Sequence, residues 1–316
     1  MRDALIICFS KKGIIEEPFF CLLQEANKLA ASSGGKVSAL VFSIDESIPP
    51  EITRHGLEKI YFCSDKRIYD NNFTSGIIAQ VLSYFNKPFV LFPADDLSKA
   101  LAARLAAKLG CGLIADAIEI SLNGDLMALK PAMGGNIKAE IFSRSEIKLI
   151  TFKTYKVSSN TEISDQSPIE IVKPKDNICA LTELIREEAA AGNKKNLEEA
   201  KIVIGVGHKV KKEDISLVRE LSSITGASIG YTRPAVHEGL GDHEEQIGVT
   251  GKTIYPEIYI AVAVSGKSYH MNGIKGNPLI ISINSDENAQ IKEFSDYFIK
   301  SDYKTALTEI LQELKK

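Results

Sequence analysis

Three short segments of the chain combine glycine, hydroxyl and cationic residues in a way that suits the binding of an anionic ligand. The segment GVGHK at 205–209 has two glycines that permit a tight turn, followed by two side chains that can neutralise phosphate charge. The segment SGKSYH at 265–270 offers small residues, two serine hydroxyls and a histidine one turn onward. The segment NSD at 284–286 carries groups that can bond a ribose or a base. Each segment also has a plainer interpretation, as a strand-to-helix turn, a helix N-cap and an Asx turn respectively.

A long segment between Gly226 and Pro256 is rich in glycine, histidine and acidic residues, and a connection of that length in a compact domain is usually functional. Arg233 stands before a proline here, where a guanidinium can stack on a ring or pair with an anion, although a surface arginine looks the same. Six potential metal ligands follow, but their spacing matches no common site, so a solvated acidic loop is the simpler interpretation. The six are His237, Glu238, Asp242, His243, Glu244 and Glu245.

Motifs for nucleophilic, metal-dependent or nucleotide-hydrolysing catalysis are absent from the sequence. It has no GxSxG, HExxH or GxxxxGK[ST] pattern. The five cysteines are scattered singly without CxxC spacing, so we expect small buried side chains in a reducing compartment rather than metal ligands or disulfides. Any redox chemistry would therefore have to come from a bound organic cofactor.

Length and charge narrow the class of protein further. A chain of 316 residues predicts two domains, each large enough to bury its own core. The 38 Lys and Arg against 41 Asp and Glu give a net charge of −3 with no basic stripe, which argues against nucleic-acid binding. The longest apolar run, Ile258–Val264, is far below the roughly 20 residues of a membrane span, and the opening run Ala4–Phe9 is too short for a signal peptide. We therefore expect a cytoplasmic protein with no membrane span.

The first half of the sequence alternates short apolar runs with amphipathic helical patterns, which implies a parallel sheet with right-handed crossovers. Predicted strands are Ala4–Phe9, Val37–Phe42, Lys59–Phe62 and Phe89–Phe92, and predicted helices are Pro18–Ala31, Phe73–Phe85 and Asp96–Leu109. The Asn123-Gly124 pair predicts a hairpin between the runs 118–122 and 126–129. Together with strand-like runs at 137–142 and 147–152, this hairpin predicts an antiparallel extension of the first domain.

Between about Lys153 and Asn196 the pattern dissolves into polar residues, apart from a helical segment at Ala180–Ala191, and this stretch predicts the interdomain connection. The predicted domains are residues 1–195 and 196–316, the second a doubly wound α/β domain. Its predicted elements are strands at Lys201–Gly205, Tyr259–Val264 and Leu279–Ile283 and helices at Glu213–Thr225 and Tyr303–Leu314.

Taken together, these segments resemble the α subunit of the electron transfer flavoproteins over nearly the whole chain. The most specific stretch, residues 226–297, has the order and about the spacing of that family's flavin-binding domain. Its matching segments are GASIGYTRPAVHEG (226–239), QIGVTGK (246–252), PEIYIAVAVSG (256–266), His270, INSD (283–286) and DYF (296–298). LAARLAAKLGCGLIAD (101–116) and KPAMGGNIKAEI (130–141) resemble the family's amino-terminal domain.

The resemblance implies a non-covalent FAD held mainly by the second domain. Thr232 and Arg233 match the family's pair in which the guanidinium lies against the flavin ring, where a fixed positive charge stabilises the reduced, anionic flavin. Thr250 matches the hydroxyl that bonds flavin N5, and His270 matches the histidine that donates to flavin O2. The remainder of the implied flavin loop is Gln246, Ile247, Gly248, Val249 and Gly251.

The implied site extends toward the phosphates and the adenosine. Residues on the turn facing the pyrophosphate and ribityl chain are Ser265, Gly266, Lys267 and Ser268, and those near the adenosine are Asn284, Asp296 and Tyr297. The sequence departs from the family at three site positions. His208 stands where an arginine usually contacts the phosphate, Val249 replaces a glutamine in the flavin loop, and Tyr269 replaces a glutamine before the histidine. These departures bear on flavin affinity and potential.

The function implied by the resemblance is electron transport. Such a chain forms a heterodimer with a β subunit, accepts electrons from flavin dehydrogenases of the acyl-CoA dehydrogenase type used in fatty acid β-oxidation, and passes them to a quinone reductase or another acceptor. The first domain would serve as a platform for docking the partner subunit, and the chain would be a carrier rather than a substrate-transforming enzyme. Two alternatives remain: a flavin- or nucleotide-dependent oxidoreductase component, and a nucleotide-binding regulatory module without redox work.

Overall fold

The computed structural model of the chain describes residues 2–133, 137–155, 157, 166–186, 197–198 and 200–315. The chain divides into two compact units. The first comprises Met1–Ala132 and Lys138–Ala189, and the second comprises Ala190–Lys316 with Met133–Ile137. The predicted boundary at residue 195 lies outside the described residues.

The first unit is built on an eight-stranded, largely parallel sheet. Its strands run in the order β11-β4-β3-β1-β5-β10-β6, and the short β2 pairs with β1 antiparallel. Three further strands, β7, β8 and β9, form a separate small sheet. The strands are β1 (Ala4–Lys11), β2 (Ile14–Ile15), β3 (Val37–Ser43), β4 (Lys59–Ser64), β5 (Phe89–Pro93), β6 (Leu113–Ala117), β7 (Glu119–Asn123), β8 (Asp125–Ala132), β9 (Ile137–Phe142), β10 (Lys148–Phe152) and β11 (Ile169–Ile171).

Helices cover both faces of this large sheet, and the central strand β1 shows why. Ile6 and Cys8 belong to one apolar core, while Leu5 and Ile7 belong to the other, because successive side chains of a strand point to opposite faces. Helix α1 (Pro18–Ser33) packs in the first core, and α2 (Asn71–Leu82) and α3 (Asp96–Leu109) pack in the second. A strand that is buried on both faces has a continuous run of apolar residues, and this run made β1 recognisable from the sequence.

Residues at the two ends of a helix indicate where it begins and ends. Helix α3 has the bounds predicted from the sequence, because Asp95 caps its first turn by accepting from Ser98 N and Gly110 ends it in a left-handed conformation, with φ of 63°. The Asn123-Gly124 hairpin is also confirmed, since β7 and β8 pair antiparallel around Gly124, whose φ is 83°.

One strand of the predicted antiparallel extension lies elsewhere. The run at 147–152 forms β10, which inserts between β5 and β6 and pairs parallel with both, so it is an interior strand of the large sheet. Its five residues are all buried, and this burial is typical of a parallel strand rather than of an exposed hairpin. The antiparallel extension is therefore confined to β7, β8 and β9.

The second unit is a five-stranded parallel sheet in the order β13-β12-β14-β15-β16, as expected for a doubly wound domain. Its strands are β12 (Ile202–Val206), β13 (Ser228–Tyr231), β14 (Ile258–Val262), β15 (Leu279–Asn284) and β16 (Tyr297–Lys300). Its helices are α4 (Ile215–Thr225), α5 (Arg233–His237), α6 (Ser268–Met271), α7 (Ile291–Phe294) and α8 (Tyr303–Leu314). Helices α4 and α8 pack on one face around Val218, Leu221 and Leu307.

Several short elements were not predicted. Strands β6, β11, β13 and β16 have three to five residues each, which is too few for a periodic signal. In the predicted helix at 180–191, residues 180–186 have no helical structure, and 187–191 lie outside the described residues. Within the described ranges, none of the helices combines the length and apolar character that a bilayer crossing requires.

Candidate functional site

The carboxyl ends of the five parallel strands of the second unit meet at one edge of the sheet. Strand β12 pairs with β13 on one side and with β14 on the other. The direction in which successive strands are added to the sheet therefore reverses beside β12. A crevice outside such a reversal point is where open α/β sheets bind ligands. The turns at 207–209 and 263–267, which follow β12 and β14, flank this crevice.

Close backbone contact between these two turns explains the glycine that ends β12. A Cβ on Gly207 would lie 1.9 Å from the carbonyl oxygen of Ala263, so no other residue fits while the turns stay together. Gly207 N also donates to Val262 O at 2.9 Å. His208 and Lys209, the next two residues, are exposed at the mouth of the turn. The first anion-binding candidate therefore lies at the reversal point.

The turn after β14 has a similar construction. Gly266 has φ of 79°, and a Cβ there would lie 2.1 Å from Ile291 N. Its neighbours Ser265 and Lys267 are exposed. Asn284 is buried and fully engaged inside the protein, because its Nδ2 donates to Val264 O at 2.8 Å and its Oδ1 accepts from Asp286 N at 3.0 Å. Asn284 thus ties the turn after β14 to the segment that follows β15.

A cavity of about 360 Å³ opens at the same edge, beside the ends of β14, β15 and β16. Lys209, Asn284 and Ser285 line it together with Asp302 and Tyr303. The sequence pattern did not single out Asp302, because the preceding strand β16 is too short to be recognised. A usable signal was present, since Asp302 caps helix α8 by accepting from Lys304 N.

Asp296 and Tyr297 lie away from this edge. Tyr297 begins β16 opposite Ile281, near the amino end of β15, whereas the cavity is at the carboxyl end of the same strands. Asp296 Oδ2 accepts from Ile280 N at 2.8 Å, which pins the amino end of the strand pair. Asp296 instead lines a separate cavity of about 650 Å³ together with Ser268, so the structure brings it near one predicted residue, whereas Tyr297 lies apart from the crevice residues.

Arg233 and Thr232 follow the carboxyl end of β13, beside the crevice. The Arg233 side chain is exposed, and its Nε lies 3.5 Å from His237 Nε2 on the same short helix, α5. Thr232 is buried, and within the described part of the chain its Oγ1 has no hydrogen-bond partner. The pair thus provides an exposed fixed cation next to an unsatisfied hydroxyl.

The loop at 246–252 also starts from the end of β13, because Ile247 N donates to Tyr231 O at 2.9 Å. The loop then packs against the segment at 269–273. Val249 N donates to Tyr269 O at 2.8 Å, and Gly248, with φ of 141°, leaves only 2.6 Å between that oxygen and the position of a Cβ. Val249 and Tyr269, two of the departures from the family pattern, are both exposed on this surface.

Thr250 is exposed on this loop, and its hydroxyl is oriented by a buried neighbour. Gln246 Nε2 donates to Thr250 Oγ1 at 3.0 Å. Since the oxygen already accepts this bond, the hydroxyl hydrogen is left to donate outward. The contact of Gly251 with the backbone of Gln246, where a Cβ would lie 2.3 Å from the carbonyl oxygen, keeps the loop tight.

His270 lies beneath the loop with both ring nitrogens occupied. Nδ1 is 3.2 Å from Ile247 O, and Nε2 is 2.6 Å from the hydroxyl of Tyr259. Burial lowers the pKa of His270 to about 4, so the ring is neutral at ordinary pH. The bond to flavin O2 that the resemblance implies therefore finds no unoccupied ring nitrogen here.

The acidic segment after α5 has a structural explanation. Asp242 and Glu245 form a reciprocal capping box around a 3₁₀ turn, with Asp242 N donating to Glu245 Oε2 at 3.0 Å. Among the residues that the structure describes, no group of three or more His, Cys, Asp or Glu side chains is placed to hold a metal ion.

The geometry fits a dinucleotide such as FAD. Two glycine turns bring backbone close to the crevice, three exposed cations (Lys209, Arg233 and Lys267) surround it, and the Thr250 hydroxyl faces outward beside it. A pyrophosphate carries two negative charges, and a flavin ring offers acceptors at N1, N5 and O2. The donor set therefore matches both ends of the molecule.

Comparison with known proteins agrees with this reading of the site. The family model of the electron transfer flavoprotein domain matches residues 4–177, and that of the electron transfer flavoprotein FAD-binding domain matches residues 196–275. The protein FixB of Clostridium saccharobutylicum is 30% identical, over 99% of this chain and 96% of its own. The electron transfer flavoprotein subunit alpha of Megasphaera elsdenii is 30% identical, over 100% and 97%. Subunit LctC of the lactate dehydrogenase (NAD(+),ferredoxin) of Acetobacterium woodii is 32% identical, over 96% and 73%.

The two family models cover most of both units, and the relatives align along nearly the whole chain. FAD is accordingly the cofactor of the second unit, and the chain belongs to the electron transfer flavoprotein α-subunit family.

Proposed function

We propose that this chain is the FAD-carrying subunit of a heterodimeric electron carrier and works with a β subunit. Support comes from its relatives, several of which are themselves named as α subunits of electron transfer flavoproteins. When bound, FAD supplies the capacity to accept and release electrons. The chain's own residues hold the cofactor and set the electrostatics around it.

Arg233 and Thr250 would set those electrostatics. Reduction adds negative charge to the flavin ring, so a guanidinium fixed beside the ring stabilises the reduced form. The outward-facing Thr250 hydroxyl can donate to an acceptor such as N5. Exposed Lys209 and Lys267, on the two glycine turns, would neutralise the pyrophosphate.

The observation that favours a carrier over a substrate-transforming enzyme is the state of His270. It is the titratable side chain packed beneath the flavin loop, and it is neutral, buried and bonded at both nitrogens. A general base must reach the proton that it abstracts. His270 is not placed to do so, whereas the exposed Arg233 charge and Thr250 hydroxyl suit the tuning of a potential.

We further propose that the electron donors are flavin dehydrogenases of the acyl-CoA dehydrogenase type and that the acceptor is a quinone reductase, in a cytoplasmic setting. The sequence resemblance supports the partners, and five cysteines that are all free support a reducing compartment.

The first unit, within the predicted domain 1–195, is proposed as the docking platform for the β subunit. Two strands at sheet edges expose apolar side chains there: Phe142 on β9, and Ile169 and Ile171 on β11. Exposed apolar side chains on an edge strand invite pairing with another chain.

The test is to co-express the full chain with a β subunit and to record the visible spectrum of the purified complex. We expect a bound flavin spectrum and rapid reduction by an acyl-CoA dehydrogenase with its substrate in stopped-flow mixing. Reduction by a lactate dehydrogenase instead would replace the proposed donor. Turnover of a small substrate by the complex alone would favour the oxidoreductase alternative, and a colourless complex would favour the regulatory module.

A further inference from the structure

His270 connects three separate elements of the second unit. The histidine lies on α6, Tyr259 belongs to the central strand β14, and Ile247 is the second residue of the flavin loop. The two hydrogen bonds thus form a continuous line from the sheet, through the imidazole, to the backbone of the loop.

The donor and acceptor roles along this line follow from the groups themselves. The Ile247 carbonyl can only accept, so His270 Nδ1 carries the hydrogen and donates to it. In a neutral ring Nε2 then has no hydrogen and accepts from the Tyr259 hydroxyl. The Ile247 carbonyl therefore sets the tautomer, and the Tyr259 hydroxyl, which can donate or accept, takes the donor role toward Nε2.

The sheet is shaped to hold the tyrosine in this place. Tyr259 is completely buried, and a Cβ on Gly205 of the neighbouring strand β12 would lie 1.7 Å from its hydroxyl oxygen. A glycine at 205 is therefore needed for the hydroxyl to reach His270. Without the hydroxyl, Nε2 would be a buried acceptor with no partner, and such a group costs stability.

We propose that Tyr259 is a positioning residue for the flavin site. Its hydroxyl donates to Nε2 of the neutral His270 ring and holds the ring in place, so that Nδ1 donates to Ile247 O and anchors the loop that presents Thr250. His270 then supplies neither a proton nor a positive charge to the flavin. The inference rests on the proposed function in one respect, which is that the 246–252 loop contacts the flavin ring.

The first test observes the tautomer directly in the complex of the full chain with its β subunit. With ¹⁵N-labelled histidine, we expect the His270 signals to show a protonated Nδ1 and an unprotonated Nε2, with no titration between pH 8 and 5.5. The His270→Gln variant identifies these signals among the five histidines of the chain. A protonated Nε2, or a titration midpoint near 6.5, would overturn the proposal.

The second test removes the hydroxyl. In Tyr259→Phe we expect the ¹⁵N signal of Nε2 to shift because it loses its hydrogen-bond donor, and the dissociation constant for FAD to rise about tenfold, the size expected from one unpaired buried acceptor. Tyr84→Phe, in the first unit, is the matched control because that ring is exposed. An unchanged Nε2 signal and an unchanged FAD dissociation constant in Tyr259→Phe would contradict the proposal.

The experiments give different results if the inference fails and if the proposed function fails. A complex that binds no flavin would remove the proposed function, while the tautomer measurement would still decide the role of Tyr259. If Tyr259→Phe does not fold, the tautomer of the unmodified protein decides alone.

Discussion

The side-chain amide of Gln246 lies 3.0 Å from the hydroxyl oxygen of Thr250, and it donates to that oxygen from a buried position. The contact spans the flavin loop from its first residue to its fifth. It holds in place an exposed hydroxyl that we propose contacts the flavin.

Thr250 is predicted to act through this hydroxyl. We expect Thr250→Ala to weaken FAD binding by roughly 2- to 10-fold, the range for one lost hydrogen bond, and to shift the flavin midpoint potential. Thr250→Ser keeps the hydroxyl and should stay close to the parent protein. Fluorescence titration of FAD and spectroelectrochemistry measure the two quantities, and identical behaviour of the Ala and Ser variants would show that the hydroxyl has no such role.

Arg233 is predicted to raise the potential of the flavin. Its exposed guanidinium stabilises the charge that reduction adds, so Arg233→Ala should lower the midpoint potential by on the order of 60 mV, which is a tenfold change in a one-electron equilibrium. Arg233→Lys keeps the charge and should show a smaller decrease. An Arg233→Ala protein with the parent potential in spectroelectrochemistry would refute the electrostatic role.

Gly207 is predicted to be essential for the crevice. A Cβ at this position would collide with the Ala263 carbonyl at 1.9 Å, so Gly207→Ala must separate the two turns that flank the ligand. We expect FAD affinity to fall more than tenfold, as measured by flavin content after gel filtration. Gly112→Ala is the control, because there the nearest atom is the rotatable Ser145 hydroxyl at 3.2 Å, and full flavin content in both variants would contradict this reading.

His270 is predicted to make stability depend on pH. Because burial lowers its pKa to about 4, the unfolded chain takes up a proton near pH 6.5 that the native protein does not yet bind. The free energy of unfolding should therefore fall between pH 6.5 and 4, by about 3 kcal/mol in total, and this contribution should change no further below pH 4. Urea unfolding at pH 7, 6 and 5 measures it.

The control for this pH effect is the His270→Gln variant, which should lack that part of the slope. His243→Gln, at an exposed position, should keep it. Parallel pH profiles of the parent and His270→Gln proteins would exclude the effect.

Asp70 is predicted to stabilise the first unit by joining two segments. It caps α2 by accepting from Phe73 N, and its other oxygen accepts from Leu181 N and from the backbone and hydroxyl of Thr182. We expect Asp70→Ala to cost roughly 2–4 kcal/mol of unfolding free energy, against almost nothing for the fully exposed Asp96→Ala. Chemical denaturation followed by circular dichroism measures both, and equal midpoints for the two variants would argue against this role.

The same carboxylate has a pH signature of its own. Burial by itself would raise the pKa of Asp70, but hydrogen bonds from Phe73, Leu181 and Thr182 outweigh it and hold the pKa below its ordinary value. This stabilisation is present above the unfolded pKa of about 3.9 and is lost as the pH falls through the lower folded value.

The sequence by itself determined what depends on neighbouring residues along the chain. The bounds of α3 follow from Asp95 and Gly110, and the β7–β8 hairpin follows from Asn123-Gly124, because caps and tight turns are satisfied within a few residues. The glycine turns after β12 and β14 were recognisable for the same reason, and so was the family of the chain.

Only the tertiary structure decided which distant segments meet. Strand β10 is an interior strand because it pairs with β5 and β6, and its own residues do not specify those neighbours. Asp296 and Asp302 flank β16 at opposite ends, and only Asp302 lines the cavity at the carboxyl ends of the strands. This arrangement depends on how β16 pairs with β15. His270 is neutral because it is buried, and both its nitrogens are hydrogen-bonded because Tyr259 and Ile247, 11 and 23 residues away, reach them. Burial and hydrogen-bond partners come from packing between distant residues, and no local pattern encodes them.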